Sequence, residues 1–154
     1  LVLDGGNIFQ GSPLGMADHG QTMIEWMNRI GYDAMVPGSY DFISGAENLN
    51  ELSKLANFPL LFSNLICNNC PLINSNIKPY YIRELSGIKV GVLGIVNSQL
   101  RDLALAENLS GTDATNGVSN LIITGHSSPG SIDFLSGNAT RAITSCVPKW
   151  ILNR

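Results

Sequence analysis

Residues 1–7 read LVLDGGN, an apolar strand that runs into a glycine-rich turn bearing an acidic and an amide side chain. In α/β folds, ligands bind beyond the carboxyl ends of the strands. Asn7, at the tip of this turn, could therefore bind a ligand, or it could only shape the turn. The segments that follow indicate which kind of fold holds this turn.

Helical and extended patterns alternate through the first part of the chain. Two amphipathic helices are indicated by apolar residues three or four positions apart, Met23, Met27 and Ile30 in the first and Leu49, Leu52 and Leu55 in the second. Apolar segments at 33–36 and 59–62 predict two further strands. This β-α-β-α-β order predicts parallel strands joined by crossover helices.

The pattern changes near residue 80. Residues 80–85 and 88–96 are extended runs that meet at Ser86-Gly87, which predicts a β-hairpin. Beyond the hairpin we expect a short helix at 99–108, polar turns at 110–120, a buried strand at 121–124 and a weak last strand at 140–145. The chain is therefore predicted to combine parallel and antiparallel strands.

Length and composition exclude several classes of protein. The 154 residues are 44% hydrophobic, which is typical of a globular domain with its own core. A net charge of −3 with 9 basic residues does not favour a nucleic-acid partner. No apolar run approaches the roughly 20 residues of a membrane span. Because the chain starts at Leu1 within an apparent strand, we expect it to begin partway through a larger protein; its oligomeric state stays open.

Cys67 and Cys70 have the spacing of half a zinc site or of a redox pair. A structural zinc site needs about four ligands, and a second Cys-x-x-Cys motif is absent from the sequence. Pro71 and the neighbouring asparagines favour a loop rather than the helix start that holds most redox pairs. We therefore predict an ordinary loop thiol pair or a local disulfide.

Polar side chains cluster after three of the predicted strands: Asp4 and Asn7, then Ser39, Tyr40 and Asp41, then His126 and Ser128. If these strands run in the same direction, their carboxyl ends meet at one edge of the sheet and form one site. A serine-hydrolase alternative with Ser127 as nucleophile is disfavoured, because Pro129 replaces the second glycine of the nucleophile elbow. It also lacks a histidine downstream of Ser127.

The order of the motifs resembles the catalytic domain of the 5′-nucleotidases, which are calcineurin-like metallophosphoesterases. The matching segments are LVLDGGNIFQGSPL at 1–14, MIEWMNRIGYDAMVPGSYDF at 23–42, ANFPLLFSN at 56–64 and IKVGVLGI at 88–95. Residues 121–145 also resemble the last metal motif of the family and the strand after it. The resemblance thus covers roughly residues 1–100 and part of the remainder.

This resemblance implies a mixed-sheet α/β sandwich of the metallophosphoesterase type, incomplete at the N-terminus and shortened internally. It implies that residues 1–154 form part of one such domain. The family holds two divalent metal ions (Zn, Mn, Mg or Ca) and hydrolyses nucleotide-type phosphomonoesters with a metal-activated water. It also suggests a periplasmic or extracellular location and a nucleotide or other small phosphoester as ligand.

The family's functional positions are largely substituted in this chain. By the resemblance, Asn7 stands where an aspartate bridges both metals and Ser39 where an amide binds metal. Tyr40 occupies the position of the catalytic histidine. His126 is kept as a metal ligand, and Ser128 replaces a second one.

Asp4 and Asp41 match supporting rather than metal-binding positions, and Asp4 could equally be a turn former. His19 matches no family motif and is expected to be a solvated residue at a helix start. Two hypotheses therefore stand. The chain is either a metal-dependent phosphohydrolase with ligands elsewhere or a catalytically silent homologue that acts as a binding or structural module.

Overall fold

The computed structural model describes residues 1–9, 11, 13–97, 99–109, 111–114, 121–126 and 132–134. The strands are β1 (Leu3–Asp4), β2 (Ala34–Met35), β3 (Leu60–Leu61), β4 (Leu65–Cys67), β5 (Ile77–Lys78), β6 (Tyr80–Leu85), β7 (Ile88–Ile95), β8 (Thr112–Ala114), β9 (Leu121–His126) and β10 (Ile132–Phe134). The helices are α1 (Pro13–Ala17), α2 (Gln21–Ile30), α3 (Gly45–Leu55), α4 (Leu100–Leu103) and α5 (Ala106–Leu109), with a 3₁₀ turn at Ser39–Phe42.

The first sheet is parallel and has the strand order β1-β2-β3-β5. The predicted β-α-β-α-β unit is confirmed: α2 crosses from β1 to β2, and α3 crosses from β2 to β3. Gly31 ends α2 in the left-handed conformation, with a φ of 84°. The fourth strand, β5, was not predicted, because Ile77 and Lys78 lie between Asn76 and Pro79 and lack the apolar run that indicated β2 and β3.

The second sheet is antiparallel and has the order β10-β9-β7-β6. The predicted hairpin is confirmed, with Tyr80 opposite Leu93 and Leu85 opposite Ile88. The buried strand predicted at 121–124 is present as β9, but the condition that it share one parallel sheet with β1 and β2 is not met, because β9 pairs antiparallel with β7 in the second sheet. A continuous apolar run is compatible with either direction, so the sequence could not decide between them.

The segment at 99–114 also differs from expectation. The predicted helix at 99–108 is two short helices, α4 and α5. The predicted turn region at 110–120 contains β8, which pairs with β4 to form a separate two-stranded ribbon. The weak strand predicted at 140–145 lies outside the described residues.

The two four-stranded sheets approach each other closely at Gly94 of β7. A Cβ atom added at Gly94 would lie 2.5 Å from the Cβ of Leu61 and 2.7 Å from a methyl carbon of Val36. Beside this contact, the Asn64 side chain accepts a hydrogen bond from Val96 N–H and donates one to the Val96 carbonyl, each 2.9 Å long. The result is a mixed-sheet α/β sandwich. Among the described helices, none is long and apolar enough to cross a membrane.

Candidate functional site

The loops after β1 and β2 meet at two glycines. A Cβ atom on Gly6 would lie 2.1 Å from Gly38 N and 2.5 Å from Val36 O. A Cβ atom on Gly38 would lie 2.2 Å from Asn7 Oδ1. Because a side chain at either position would overlap the opposite loop, the backbone contact between the loops requires glycine at both.

The buried carboxylate of Asp41 holds the two loops together. Its Oδ2 accepts hydrogen bonds from Asn7 N–H at 2.7 Å and from Gly38 N–H at 2.8 Å, and its Oδ1 accepts one from Ile8 N–H at 2.9 Å. Burial raises the pKa of Asp41 to about 6, against the lowering effect of these three donors, and the charge of Asp4 raises it further. Both oxygens therefore point at backbone donors of this chain.

Asn7 turns its side chain toward the 3₁₀ turn at Ser39–Phe42. Its backbone is left-handed, with a φ of 62°, a conformation that asparagine tolerates better than most residues. Asn7 Oδ1 accepts a hydrogen bond from Tyr40 N–H at 3.0 Å. The position that the resemblance assigns to a metal-bridging acid thus holds a neutral amide oxygen that already binds the opposite loop.

Three other predicted residues lie in the same two loops. Asp4 Oδ1 accepts a hydrogen bond from Gly6 N–H at 2.7 Å, and partial burial raises the pKa of Asp4. Ser39 is buried, whereas Tyr40 is 44% exposed. The expectation that the polar groups after the first two strands share one site is therefore met by the structure, while their roles as metal ligands stay predictions.

The predicted ligand His126 lies in β9 of the antiparallel sheet, outside the loops after β1 and β2. The backbone of His126 lies opposite Val90 in β7, four residues along that strand from the Gly94 contact with the first sheet. Ser128 lies outside the described residues. His19 is exposed just before α2, with Nδ1 3.1 Å from Ser44 Oγ.

The described donor atoms do not fit a two-metal centre. Such a centre requires anionic oxygens and imidazoles around both cations. The loops instead present one amide, hydroxyl groups and two carboxylates that accept backbone hydrogen bonds. Within the described ranges, no group of three or more His, Cys, Asp or Glu side chains is arranged to hold a metal ion.

The sequence reasoning placed Asp41 among supporting residues but missed its central role. A signal was present, since Asp41 is the third residue after Gly38, where an acidic side chain can reach back to the N–H at the start of a helical turn. The bonds to Asn7 and Ile8 span more than thirty residues and could not be read from that local pattern.

Comparisons with known proteins agree with this architecture. A snake venom 5′-nucleotidase from Gloydius brevicauda is 36% identical over 105 residues, which cover 64% of this chain and 17% of that protein. The crystal structure of a 5′-nucleotidase precursor from Thermus thermophilus superposes with a TM-score of 0.69 at 25% identity, over 75% of this chain and 22% of that one.

The chain belongs to the 5′-nucleotidase family. A calcineurin-like phosphoesterase, YfkN from Bacillus subtilis, has the same fold, with a TM-score of 0.61 and 28% identity over 75% of this chain and 40% of that one. No protein-family model matches the chain. The chain spans about a fifth of the length of the curated nucleotidases it matches. The expected metallophosphoesterase-type sandwich is thus confirmed for the part that the chain covers.

Proposed function

We propose that residues 1–154 are part of a 5′-nucleotidase-type metallophosphoesterase domain that keeps the fold and has lost two-metal catalysis at the loops after β1 and β2. The observation that supports this most directly is the hydrogen bond from Tyr40 N–H to Asn7 Oδ1. It gives the side chain at the family's bridging position a structural role. In this proposal the chain acts as a binding or structural module.

The chemistry of the loops favours the same conclusion. Two adjacent divalent cations, which together activate the attacking water, need a negatively charged bridging oxygen that lowers their mutual repulsion. Asn7 has no negative charge, and the charge of Asp41 is directed at three backbone N–H groups inside the protein. These loops therefore stabilise their own junction where the family holds metal.

The second candidate function is metal-dependent hydrolysis of a nucleotide or other small phosphomonoester. The close contact between the two loops, which requires glycine at positions 6 and 38, favours this hydrolase candidate. In that case zinc, manganese, magnesium or calcium would need ligands such as His126 and Ser128, or residues outside 1–154. The named activity of the relatives supports this candidate at the level of the family.

Metal content and turnover separate the two candidates. The purified protein is dialysed against Mn²⁺ and against Zn²⁺, its bound metal is measured by mass spectrometry, and hydrolysis of AMP and p-nitrophenyl phosphate is followed with and without EDTA. We expect no stoichiometric metal and no EDTA-sensitive turnover. Bound metal together with EDTA-sensitive phosphate release would overturn the proposal in favour of the hydrolase.

A restoration variant tests how much of the centre is missing. We expect Asn7→Asp, Ser39→Asn and Tyr40→His in one chain to remain inactive, because two restored ligands and one restored catalytic histidine leave the remaining family positions unfilled. The matched control is Asn7→Asp alone. Measurable AMP hydrolysis by the triple variant, and not by the single one, would show that the remaining ligands are in place.

The proposal includes a periplasmic or extracellular location. Cys67 and Cys70 form a disulfide, and structural disulfides persist mainly in oxidising compartments. With a net charge of −3, no nucleic-acid partner is proposed. Trapping free thiols in the producing cells before lysis, followed by mass spectrometry, should find this pair protected from the alkylating reagent; a fully alkylated pair would place the chain in a reducing compartment.

A further inference from the structure

The ribbon formed by β4 and β8 is held separately from the two large sheets. It has three residue pairs, from Leu65 opposite Ala114 to Cys67 opposite Thr112. One further hydrogen bond, from Asn68 N–H to the Gly111 carbonyl at 3.0 Å, closes its end. A two-stranded ribbon of this length is marginal by itself, so its closed form depends on the packing of Leu65 and Ala114 with the core and on the turn at its end.

The Cys67–Cys70 disulfide closes the turn at that end of β4, next to Asn68, and does not itself link β4 to β8. It closes a four-residue turn in which Asn69 is left-handed, with a φ of 59°. The prediction of a local disulfide is confirmed here. Cys67 and the two asparagines are exposed, whereas Cys70 is only 6% exposed and packs in the apolar core. An external thiolate can therefore reach the sulfur of Cys67 more readily than that of Cys70.

The closed ribbon also contains one unfavourable feature. The Thr112 hydroxyl, on a residue that is 1% exposed, has no hydrogen-bond partner among the described residues. A buried hydroxyl without a partner favours the open form, in which water can reach it. The disulfide opposes this tendency.

We propose that the Cys67–Cys70 disulfide is a reversible thiol–disulfide exchange site for a dithiol reductant, and that its reduction releases the β4–β8 ribbon while the parallel sheet stays folded. One thiolate of the dithiol attacks Cys67 Sγ, the protein disulfide breaks, and Cys70 leaves as a thiolate that takes up a proton. The second thiol of the reductant then attacks its own bound sulfur and releases Cys67. The protein disulfide gains two electrons and two protons, and the dithiol is oxidised to a disulfide.

Reduction of the whole chain under native conditions tests this release. A Cys146→Ser variant, used as the parent to prevent disulfide shuffling, is titrated with dithiothreitol and examined by hydrogen–deuterium exchange. We expect exchange at 65–67 and 112–114 to rise by about ten-fold or more, while 34–35 and 60–61 stay protected. Reduction that leaves the ribbon protected, or that occurs only together with unfolding of the parallel sheet, would overturn the proposal.

The site of attack is tested with a monothiol and with matched variants. Glutathione added to the same parent should be trapped as a mixed disulfide on Cys67, located by peptide mass spectrometry. Cys70→Ser, which leaves Cys67 free, should react with a maleimide about ten-fold faster or more than Cys67→Ser, which leaves Cys70 free. If either variant fails to fold, the glutathione adduct decides: attachment at Cys70, or at neither cysteine under native conditions, contradicts attack at Cys67.

Discussion

Replacing Asp41 with asparagine tests the junction between the loops after β1 and β2. The two side chains have nearly the same shape, but only the carboxyl group titrates. Burial raises the pKa of Asp41 from 3.8 to about 6 although three backbone N–H groups lower it. The native state therefore binds the Asp41 proton more tightly than the unfolded chain does.

The size and sign of the effect follow from this difference in pKa. Each pKa unit corresponds to about 1.4 kcal/mol, so protonation of Asp41 adds about 3 kcal/mol to the free energy of unfolding. This stabilisation is nearly absent at about pH 7, grows as the pH falls through about 6, and levels off only below the ordinary pKa of 3.8, where the unfolded chain is protonated as well. The Asp41→Asn variant cannot gain it.

Urea unfolding followed by circular dichroism, for both proteins at several pH values, measures this difference. We expect the wild-type protein to gain about 2–3 kcal/mol relative to Asp41→Asn between about pH 7 and about pH 4. Asp4, whose pKa is also raised by burial, is present in both proteins and largely cancels. A difference that stays constant, or that shrinks toward acid, would refute the reasoning, because the N–H donors would then outweigh burial.

Three further expectations concern stability and can be measured by the same urea unfolding. Asn7→Gly should lower the free energy of unfolding by about 1 kcal/mol, because the hydrogen bond to Tyr40 N–H is lost. Asn7→Ala should lower it by about 1 kcal/mol more, because alanine is disfavoured in the left-handed backbone conformation of residue 7. Equal losses for the two variants would contradict this backbone contribution. Gly94→Ala should lower the free energy of unfolding by about 1–3 kcal/mol, because the added Cβ overlaps Leu61. The control Gly91→Ala should leave it nearly unchanged, because a Cβ there meets no atom within 4 Å. Similar losses for both variants would argue against the close contact between the sheets. Asn76→Ala should lower the free energy of unfolding by about 1–3 kcal/mol, because the Asn76 amide nitrogen lies within 3.0 Å of three carbonyl oxygens at and beyond the end of α3. An unchanged urea midpoint would show that water replaces the amide as donor to these carbonyls.

Much of the fold was predictable because its signals are local. The helical spacing of Met23 and Met27, the glycine that ends α2 and the turn at Ser86-Gly87 each act within a few residues, and each prediction is confirmed. Most of the elements that were missed are short strands, β4, β5, β8 and β10, whose formation depends on pairing with another strand; the five-residue helix α1 was missed as well. Their sequences contain too few residues to show a period.

The candidate site, like the fold, was predicted from the sequence only in part. The residue types at strand ends and their resemblance to the family identified Asp4, Asn7, Ser39, Tyr40 and Asp41, and the structure places these residues in two adjoining loops. The expected contribution of His126 depended on the direction of its strand, which the sequence left open. Strand direction is set by pairing with β7, a long-range contact that no local pattern encodes.

Sequence alone determined the chemistry at the tip of the first turn. An asparagine at position 7 is neutral wherever it lies, so the charge that a metal-bridging oxygen needs is absent whatever the fold. Only the tertiary structure decided what that amide does instead. Its oxygen accepts the N–H of Tyr40, thirty-three residues away, because the glycines at 6 and 38 allow the two loops to approach within hydrogen-bonding distance.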